Sequence, residues 1–458
     1  MRLNQISFYS MLVLLVWLPI PLASNRIWAW SIAELWVALT TLTLVLSYRT
    51  NWQAFPFERI KRFGWLLVPL GLFQVWTAFQ LIPFDLEVLK LLSPFAAEAY
   101  ENIGADTGRI TVNAYATVSG LLKGLTYLLF ALCAVVLIDS KQRVKQVLGA
   151  IVVSGTFQAF YGAMVVLLGI EYSLVFGIRL PDVATGSFVY KNHLANYLML
   201  CLSLGTGLLI AQLHVSASGS WHERIKRWVS GMMSAKMFVR CVLVVMVIAL
   251  VMTRSRMGNT AFFAATTIGG LVALLFYRNK PRVLVALIIS ILVVDTFVVG
   301  SIFGLVKVKQ RLEQTTMSNE TRDEVVQWSM DIIEKMPLTG TGLGSFHSTF
   351  PAFSKANIGY YDHAHNDYIQ FAVETGIPAT LLLGSSCLFA IWLCVKTIRQ
   401  RSSKTLKGTA LGCLMAVVGM LIHISVDFNL QPTANAMTFI LVLVLAGCSA
   451  HLPKGHSG

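Results

Sequence analysis

The sequence predicts an all-α polytopic membrane protein with about 12 transmembrane helices, and three observations predict it. Of the 458 residues, 56% are hydrophobic and 13% are charged, whereas about a quarter of the residues in soluble domains are charged. Continuous apolar runs of about 18 to 24 residues recur along the chain, each long enough to cross a hydrocarbon core of about 30 Å. Basic residues cluster in short loops between these runs, which is typical of cytoplasmic loops.

The apolar runs define the spans. They are continuous rather than alternating, which excludes an outer-membrane barrel. The first run is interpreted as a helix and not as a cleaved signal peptide, because another span follows it at once. With twelve spans, both chain ends lie in the cytoplasm and every basic cluster falls on the cytoplasmic side. The predicted spans are 7–24, 27–48, 63–82, 115–138, 147–169, 193–213, 238–253, 257–277, 283–304, 378–395, 408–426 and 433–450.

The charge and the cysteines indicate no other partner class. A net charge of +14 is compatible with nucleic-acid binding, but the basic residues follow the loops of the spans, so we expect no nucleic-acid partner. All seven cysteines fall inside predicted spans, and none has a CxxC or Cys/His metal spacing. They are interpreted as small apolar residues in helices.

The spans divide the chain into three parts. Residues 1–304 form transmembrane helices 1–9, residues 305–377 form one large loop on the face opposite the basic clusters, and residues 378–458 form helices 10–12 with a short tail. So long a connection is usually functional or disordered. No strand signals stand out in the sequence.

The large loop carries the signals of two short helices. Val325, Trp328, Ile332 and Met336 recur at helical spacing and Pro337 ends the pattern. Thr321 and Glu324 match a capping box at its start. A second helix follows His365 and closes at Gly376, and Pro378 suits the first turn of the next span.

Several cations lie on the face that the positive-inside bias should leave free of them. Arg254 and Arg256 stand in a tight connection between two spans, where a charge is costly unless it is paired or hydrated. Either they snorkel to lipid headgroups or they share an anion, for which phosphate is the natural candidate. The cations predicted on this face are Arg179, Lys191, Arg254, Arg256, Arg311 and Arg322.

The stretch YDHAHNDYIQF places titratable groups ahead of an apolar run. Asn366 stands at the predicted helix N-terminus, which offers backbone donors to an anion. His365 beside it is either a general base for a hydroxyl or a hydrogen-bonded surface residue. Asp427, at the end of another span, is either a partner for His365 or an arginine, or a polar cap on two helices.

Two further features are weaker. GTGLGSF (340–346) lacks the GK[ST] of a P-loop and a preceding strand. We expect it to be a tight loop that brings backbone close to the site. Lys123 falls near the middle of a span, where it either snorkels or pairs, and the sequence assigns it no role.

Several of these segments together resemble a known family. The pattern is an arginine-led helix, RDEVVQWSMDIIEK, followed by PLTGTGLGSF and then by HNDYIQFAVETGIPAT. GSFVYKNHLANYL with Asn192, TRSRMG with Arg256, and SNRIWAWS and VDFNLQPTANA near the two ends add to it. This order resembles the O-antigen ligase and Wzy-type polysaccharide polymerase superfamily. Ala379 stands where the family has a second glycine.

The resemblance implies a GT-C-like glycosyltransferase of the bacterial inner membrane, with its active site on the periplasmic face. The donor would be a glycan on undecaprenyl diphosphate. The acceptor would be a sugar hydroxyl, on lipid A–core for a ligase or on a lipid-linked glycan for a polymerase. The resemblance implies an inverting reaction that uses no metal, no nucleotide sugar and no other cofactor.

The resemblance also implies roles for particular residues. His365 would be the base or the residue that orients the acceptor, with Arg322 and Arg256 holding the diphosphate at the catalytic centre. By position, Arg179 would be a further diphosphate holder. Together with the charge and capping arguments above, this predicts Arg179, Arg254, Asn192, Asn366 and Asp427 as substrate-binding residues.

Two other classes remain open beside the glycosyltransferase. Twelve spans also suit a transporter or flippase for lipid-linked saccharides, although a transporter favours charges near the midplane and two related halves. A structural assembly protein with an inactive site is the third interpretation. Neither the sugar, the linkage nor the choice between polymerase and ligase follows from the sequence.

Overall fold

A computed structural model describes residues 2–212, 235–277 and 321–453, together with residues 285 and 289. Helices make up most of the described parts, which confirms the all-α prediction. Their helices are α1 (Arg2–Trp17), α2 (Ile27–Ser47), α3 (Phe57–Arg62), α4 (Gly64–Phe79), α5 (Leu86–Leu92), α6 (Pro94–Glu101), α7 (Ala114–Leu137), α8 (Lys141–Leu167), α9 (Lys191–Ala211), α10 (Ala235–Met252), α11 (Arg256–Phe276), α12 (Arg322–Lys335), α13 (Phe346–Thr349), α14 (Asp367–Thr375), α15 (Ile377–Gln400), α16 (Lys404–His423) and α17 (Thr433–His451).

Eight helices within the described ranges are long and apolar enough to cross a membrane: α2, α7, α8, α9, α11, α15, α16 and α17. Three shorter apolar helices, Leu3–Trp17, Gly64–Phe79 and Met237–Met252, coincide with three further predicted spans. The predicted span 283–304 lies outside the described residues. The chain is therefore a polytopic membrane protein, and its span number stays a prediction.

Helices α9, α16 and α17 form the centre of the bundle, where nearly all their residues are buried. Glycines let α9 and α16 approach closely. A side chain at Gly412 would lie 2.7 Å from the carbonyl oxygen of Ser203, and one at Gly207 would overlap the backbone of Gly408. Small residues at such crossings are the usual means of packing membrane helices, because lipid offers no hydrophobic drive for association. This centre carries two of the segments that build the site, the start of α9 and the connection between α16 and α17.

The described part of the large loop, from residue 321, folds as a compact layer. Val325, Trp328, Ile332 and Met336 are all buried in one apolar cluster, as the helical spacing predicted. The predicted capping box is wrong. Thr321 does precede α12, but its hydroxyl lies 2.5 Å from the hydroxyl of Tyr361 and makes no capping hydrogen bond.

The turn from α14 into α15 agrees with the sequence. Gly376 has φ +82°, and Pro378 occupies the first turn of α15. The sequence showed no strand signals, but Phe84–Asp85 and Thr107–Gly108 pair as a short antiparallel ladder. Two residues per strand are too few for a periodic pattern to reveal.

Candidate functional site

One cavity of about 880 Å³ lies at one end of the helix bundle, beneath the loop layer. Five segments meet there: the start of α9, the α10–α11 turn, the start of α12, the residues before α14, and the connection between α16 and α17. The cavity is lined by seven of the eight residues that the sequence singled out, namely Asn192, Arg254, Arg256, Arg322, His365, Asn366 and Asp427. Residues far apart in the chain are thus brought together.

Arg179 is the exception. It lies in the exposed loop between α8 and α9, where its backbone pairs with that of Tyr172. It is not among the residues that line the cavity. Its role in binding stays a prediction without support from this arrangement.

The cavity is rich in positive charge. Among the described residues, its basic side chains are Lys191, Arg254, Arg256 and Arg322, against the carboxylates of Asp323 and Asp427. Lys191 was recognised in the sequence as an unusual cation but was not assigned to the site. Several cations around a small volume repel one another, so a bound anion would stabilise the arrangement.

Four helices begin at this cavity, a convergence that the sequence does not reveal. The first residues of α9, α11 and α12, and Asn366 before α14, all line it. The dipole of each helix N-terminus favours negative charge, and the first N–H groups that the caps Ser255 and Asn366 do not take up can bind an anion. Backbone and side chains therefore select the same kind of ligand, an anion such as a phosphate group.

The α10–α11 turn presents two arginines through an unusual backbone. Arg254 has φ +51°, in the left-handed region that side chains rarely adopt. Ser255 caps α11, since its hydroxyl accepts a hydrogen bond from the N–H of Gly258 at 3.2 Å. Strained residues cluster at functional sites, and both arginines of this turn line the same cavity.

A hydrogen-bonded chain connects three of the segments. The guanidinium of Arg322 donates to the hydroxyl of Tyr190 at 3.3 Å, and the amide of Asn192 donates to the same hydroxyl at 2.7 Å. The Asn192 amide also donates to the carboxylate of Asp427. Burial raises the pKa of the Tyr190 hydroxyl, and the negative charge of Asp427 raises it further. The Arg322 cation has a smaller, opposite effect on this pKa. Tyr190 therefore stays neutral and fixes the position of Arg322.

His365 is held between a carboxylate and two aromatic rings. Its Nδ1 lies 3.7 Å from Oδ1 of Asp427, and its ring meets Phe428 and Tyr361 edge-on. Its backbone has φ +50°, the second strained position in the cavity. Burial acts to raise the pKa of Asp427, but the neighbouring His365 and other donors outweigh it, so the pKa lies below its ordinary value. Asp427 is therefore ionised, and its carboxylate lies beside the imidazole at a separation longer than a hydrogen bond.

Asn366 serves as the cap of α14. Its side-chain oxygen accepts hydrogen bonds from the N–H groups of Tyr368 and Ile369, and its amide donates to the carbonyl of Ser425. These bonds fix the strained turn at His365 to the α16–α17 connection. Asn366 thus positions the site even though it also lines the cavity.

The glycine-rich loop 340–346 does not do what the sequence suggested. Gly340, Gly342 and Gly344 have positive φ, as in a tight loop, but none of them lines the cavity of His365. A side chain at Gly342 would overlap Thr111, so the loop packs against the segment before α7. Leu343 and Gly344 line a different cavity.

Fold and site together define a polytopic helical membrane protein with a cationic cavity at one end of its bundle. Residues 241–384, about a third of the chain, match the family model described as O-antigen ligase. The match confirms the resemblance over this segment, which contains Arg254, Arg256, Arg322 and His365. Asn192 and Asp427 reach the cavity from outside it. No curated protein matches the chain.

Proposed function

We propose that the protein is an inverting membrane glycosyltransferase that moves a glycan from undecaprenyl diphosphate to a sugar hydroxyl. The convergence of Arg254, Arg256 and Arg322 with His365 on one cavity carries this proposal. The O-antigen ligase match over residues 241–384 supports it. The activity would be that of a polysaccharide polymerase or of an O-antigen ligase acting on lipid A–core, in a GT-C-like fold of the bacterial inner membrane.

In the proposed reaction, the acceptor hydroxyl oxygen attacks the anomeric carbon of the donor sugar from the side opposite the diphosphate. The bond from this carbon to the diphosphate oxygen breaks, and its electron pair leaves with undecaprenyl diphosphate. The hydroxyl proton passes to Nε2 of His365. Asp427 near Nδ1 favours the tautomer that leaves Nε2 as the acceptor.

The cations stabilise the charge that develops on the leaving diphosphate. Fixed charges aimed at a leaving group cost no reorganisation during the reaction, and such electrostatic stabilisation usually makes the greatest single contribution to catalysis. A positioned base adds about 10²- to 10⁴-fold. The chemistry needs only these groups of the chain, so we propose no metal and no other cofactor.

Glycan analysis of a strain that lacks the gene tests this function. A polymerase is indicated if single repeat units remain attached to their acceptor and long chains are lost. A ligase is indicated if polymer accumulates on undecaprenyl diphosphate. Unchanged surface glycans and lipid-linked intermediates would contradict both.

A further inference from the structure

A second cavity, of about 410 Å³, lies beside the first, between α2, α4, α7 and the loop layer. The two cavities share the YDHAHND stretch and the α16–α17 connection. His365 lines the first and His363 lines the second, and both rings contact Phe428, at 4.8 and 4.4 Å between centroids. A ligand of the second cavity therefore lies close to the proposed base.

The second cavity combines aromatic surface with planar polar groups. Trp30, Tyr115 and Phe371 supply the rings, and Asn113 and Gln431 are among the amides. Sugar rings present apolar C–H faces and a rim of hydroxyls, each of which is both donor and acceptor. Amphipathic aromatics and amides match these two kinds of surface.

Gln74 shows that the cavity has an unused polar group. Its side chain is 6% exposed, and its Oε1 has no hydrogen-bond partner among the described residues. Gly124 makes the space for it, because a side chain there would overlap the amide. A buried acceptor that lacks a donor destabilises the protein by its unrecovered desolvation free energy. A ligand hydroxyl that donates to this oxygen would remove that penalty and so bind more favourably.

The charges of the second cavity suit a different ligand from the diphosphate proposed for the first cavity. Its floor holds Lys123, whose ammonium lies 3.4 Å from the centre of the Trp30 ring and interacts with Glu34. Asp362 and Glu374 line the wall. The Asp362 carboxylate and a cation already engaged by Trp30 and Glu34 do not favour a diphosphate, whereas an uncharged polyhydroxyl group fits.

We propose that this second cavity binds a saccharide unit of the acceptor glycan, an inference that rests on the proposed function. The acceptor sugar would lie on one side of Phe428 and the donor diphosphate on the other. Lys123, to which the sequence assigned no role, then helps to shape the floor of the acceptor site.

Binding to the full chain in lipid nanodiscs tests this proposal. For a polymerase, whose acceptor is a lipid-linked glycan, the probe is the oligosaccharide released by mild acid from lipid-linked glycans of the strain that lacks the gene. For a ligase, the probe is the core oligosaccharide released by mild acid from lipid A–core, so that neither probe carries a lipid chain. We expect Trp30→Leu and Tyr115→Ala to raise the Kd of this oligosaccharide about 10-fold. Tyr115 is 75% exposed, so its loss does not threaten folding, and Tyr360, equally exposed but outside the cavity, provides the matched control Tyr360→Ala.

A second probe, the intact lipid-linked glycan, separates the two proposals. We expect Arg256→Ala to weaken its binding and to leave the Kd of the free oligosaccharide within about 2-fold. Oligosaccharide binding that resists Trp30→Leu and Tyr115→Ala, as it would if a lipid chain filled the cavity, overturns the acceptor site alone. A wild-type protein that binds neither probe overturns the proposed function as well.

Discussion

Nδ1 of His365 lies 3.7 Å from Oδ1 of Asp427, across the junction between the loop layer and the membrane helices. Asp427 is almost fully buried and also accepts a hydrogen bond from Asn192. The α9 start, the α16–α17 connection and the residues before α14 thereby meet around one imidazole. In the proposed reaction, this pair sets which ring nitrogen is free to take the acceptor proton.

Replacing Asp427 by Asn is therefore expected to lower kcat by roughly 10²-fold, within the range assigned to a positioned base. KM for the lipid-linked donor should change little, because the cations of the cavity remain. A transfer assay with purified protein measures both constants. If kcat and KM changed by the same factor, or if neither changed, Asp427 would not orient the base.

Variants of arginines inside and outside the cavity test whether the diphosphate binds there. We expect Arg256→Ala to reduce glycan transfer about 10²-fold, and Arg256→Lys to recover only part of it, since an ammonium cannot bind two phosphate oxygens in a fork. Arg179→Ala should stay within about 3-fold of wild type, because Arg179 does not line the cavity.

Arg26, an exposed arginine that also lies outside the cavity, supplies a matched control in Arg26→Ala. The same assay is run on all four variants at equal protein levels. If Arg179→Ala were as damaging as Arg256→Ala, the diphosphate would have to bind elsewhere than in this cavity.

Glu374 makes stability depend on pH. Burial raises the pKa of its carboxyl to about 7, against the lowering effect of the N–H donors around it. The folded state thus holds this proton more tightly than the unfolded state, so the group costs stability as the pH rises from about 4.5 to about 7. Glu374→Gln keeps an acceptor for Gln370 and Phe346 but cannot ionise.

We therefore expect the Tm of Glu374→Gln to exceed that of wild type by roughly a few °C at pH 8 and to approach it near pH 5. Thermal unfolding in detergent across this pH range is the measurement. Glu98→Gln, at an exposed carboxylate, is the control. A difference that is the same at every pH would contradict an ionisation penalty at Glu374.

The proposed periplasmic face predicts the labelling of two small, exposed positions. Ala356→Cys lies in the loop layer and Ser402→Cys lies between α15 and α16, at the other end of the bundle. In intact spheroplasts, an impermeant maleimide should label Ala356→Cys, and should label Ser402→Cys only after lysis. The reverse pattern would place the cavity on the cytoplasmic face.

Much of the fold follows from the sequence because membrane helices obey a single strong constraint. Every backbone polar group must be satisfied within its span, so apolar length alone located α2, α7 and α9. The buried face of α12 followed from helical spacing in the same way. The capping box failed because Thr321 found a tertiary partner, Tyr361, that no local pattern encodes.

The site was predicted in part for a different reason. Charges that oppose the membrane bias are costly, so Arg254, Arg256 and Arg322 stand out in the sequence by their positions alone. Arg179 also opposes the membrane bias but lies on an exposed loop. The bias indicates that a charge is unfavourable at a position, but it does not indicate which cavity the side chain faces. The four converging helix N-termini and the strained φ of His365 depend on chain path, which the sequence does not show.

The cavity around His365 is the proposed centre of glycan transfer, and one variant decides whether it is. The measurement is the surface and lipid-linked glycan profile of a gene-deletion strain complemented with His365→Ala, beside wild type and Tyr360→Ala. We predict that His365→Ala reproduces the deletion profile although the protein reaches the membrane at a normal level, while Tyr360→Ala restores wild-type glycans. Wild-type glycans from His365→Ala would contradict a catalytic role for this cavity.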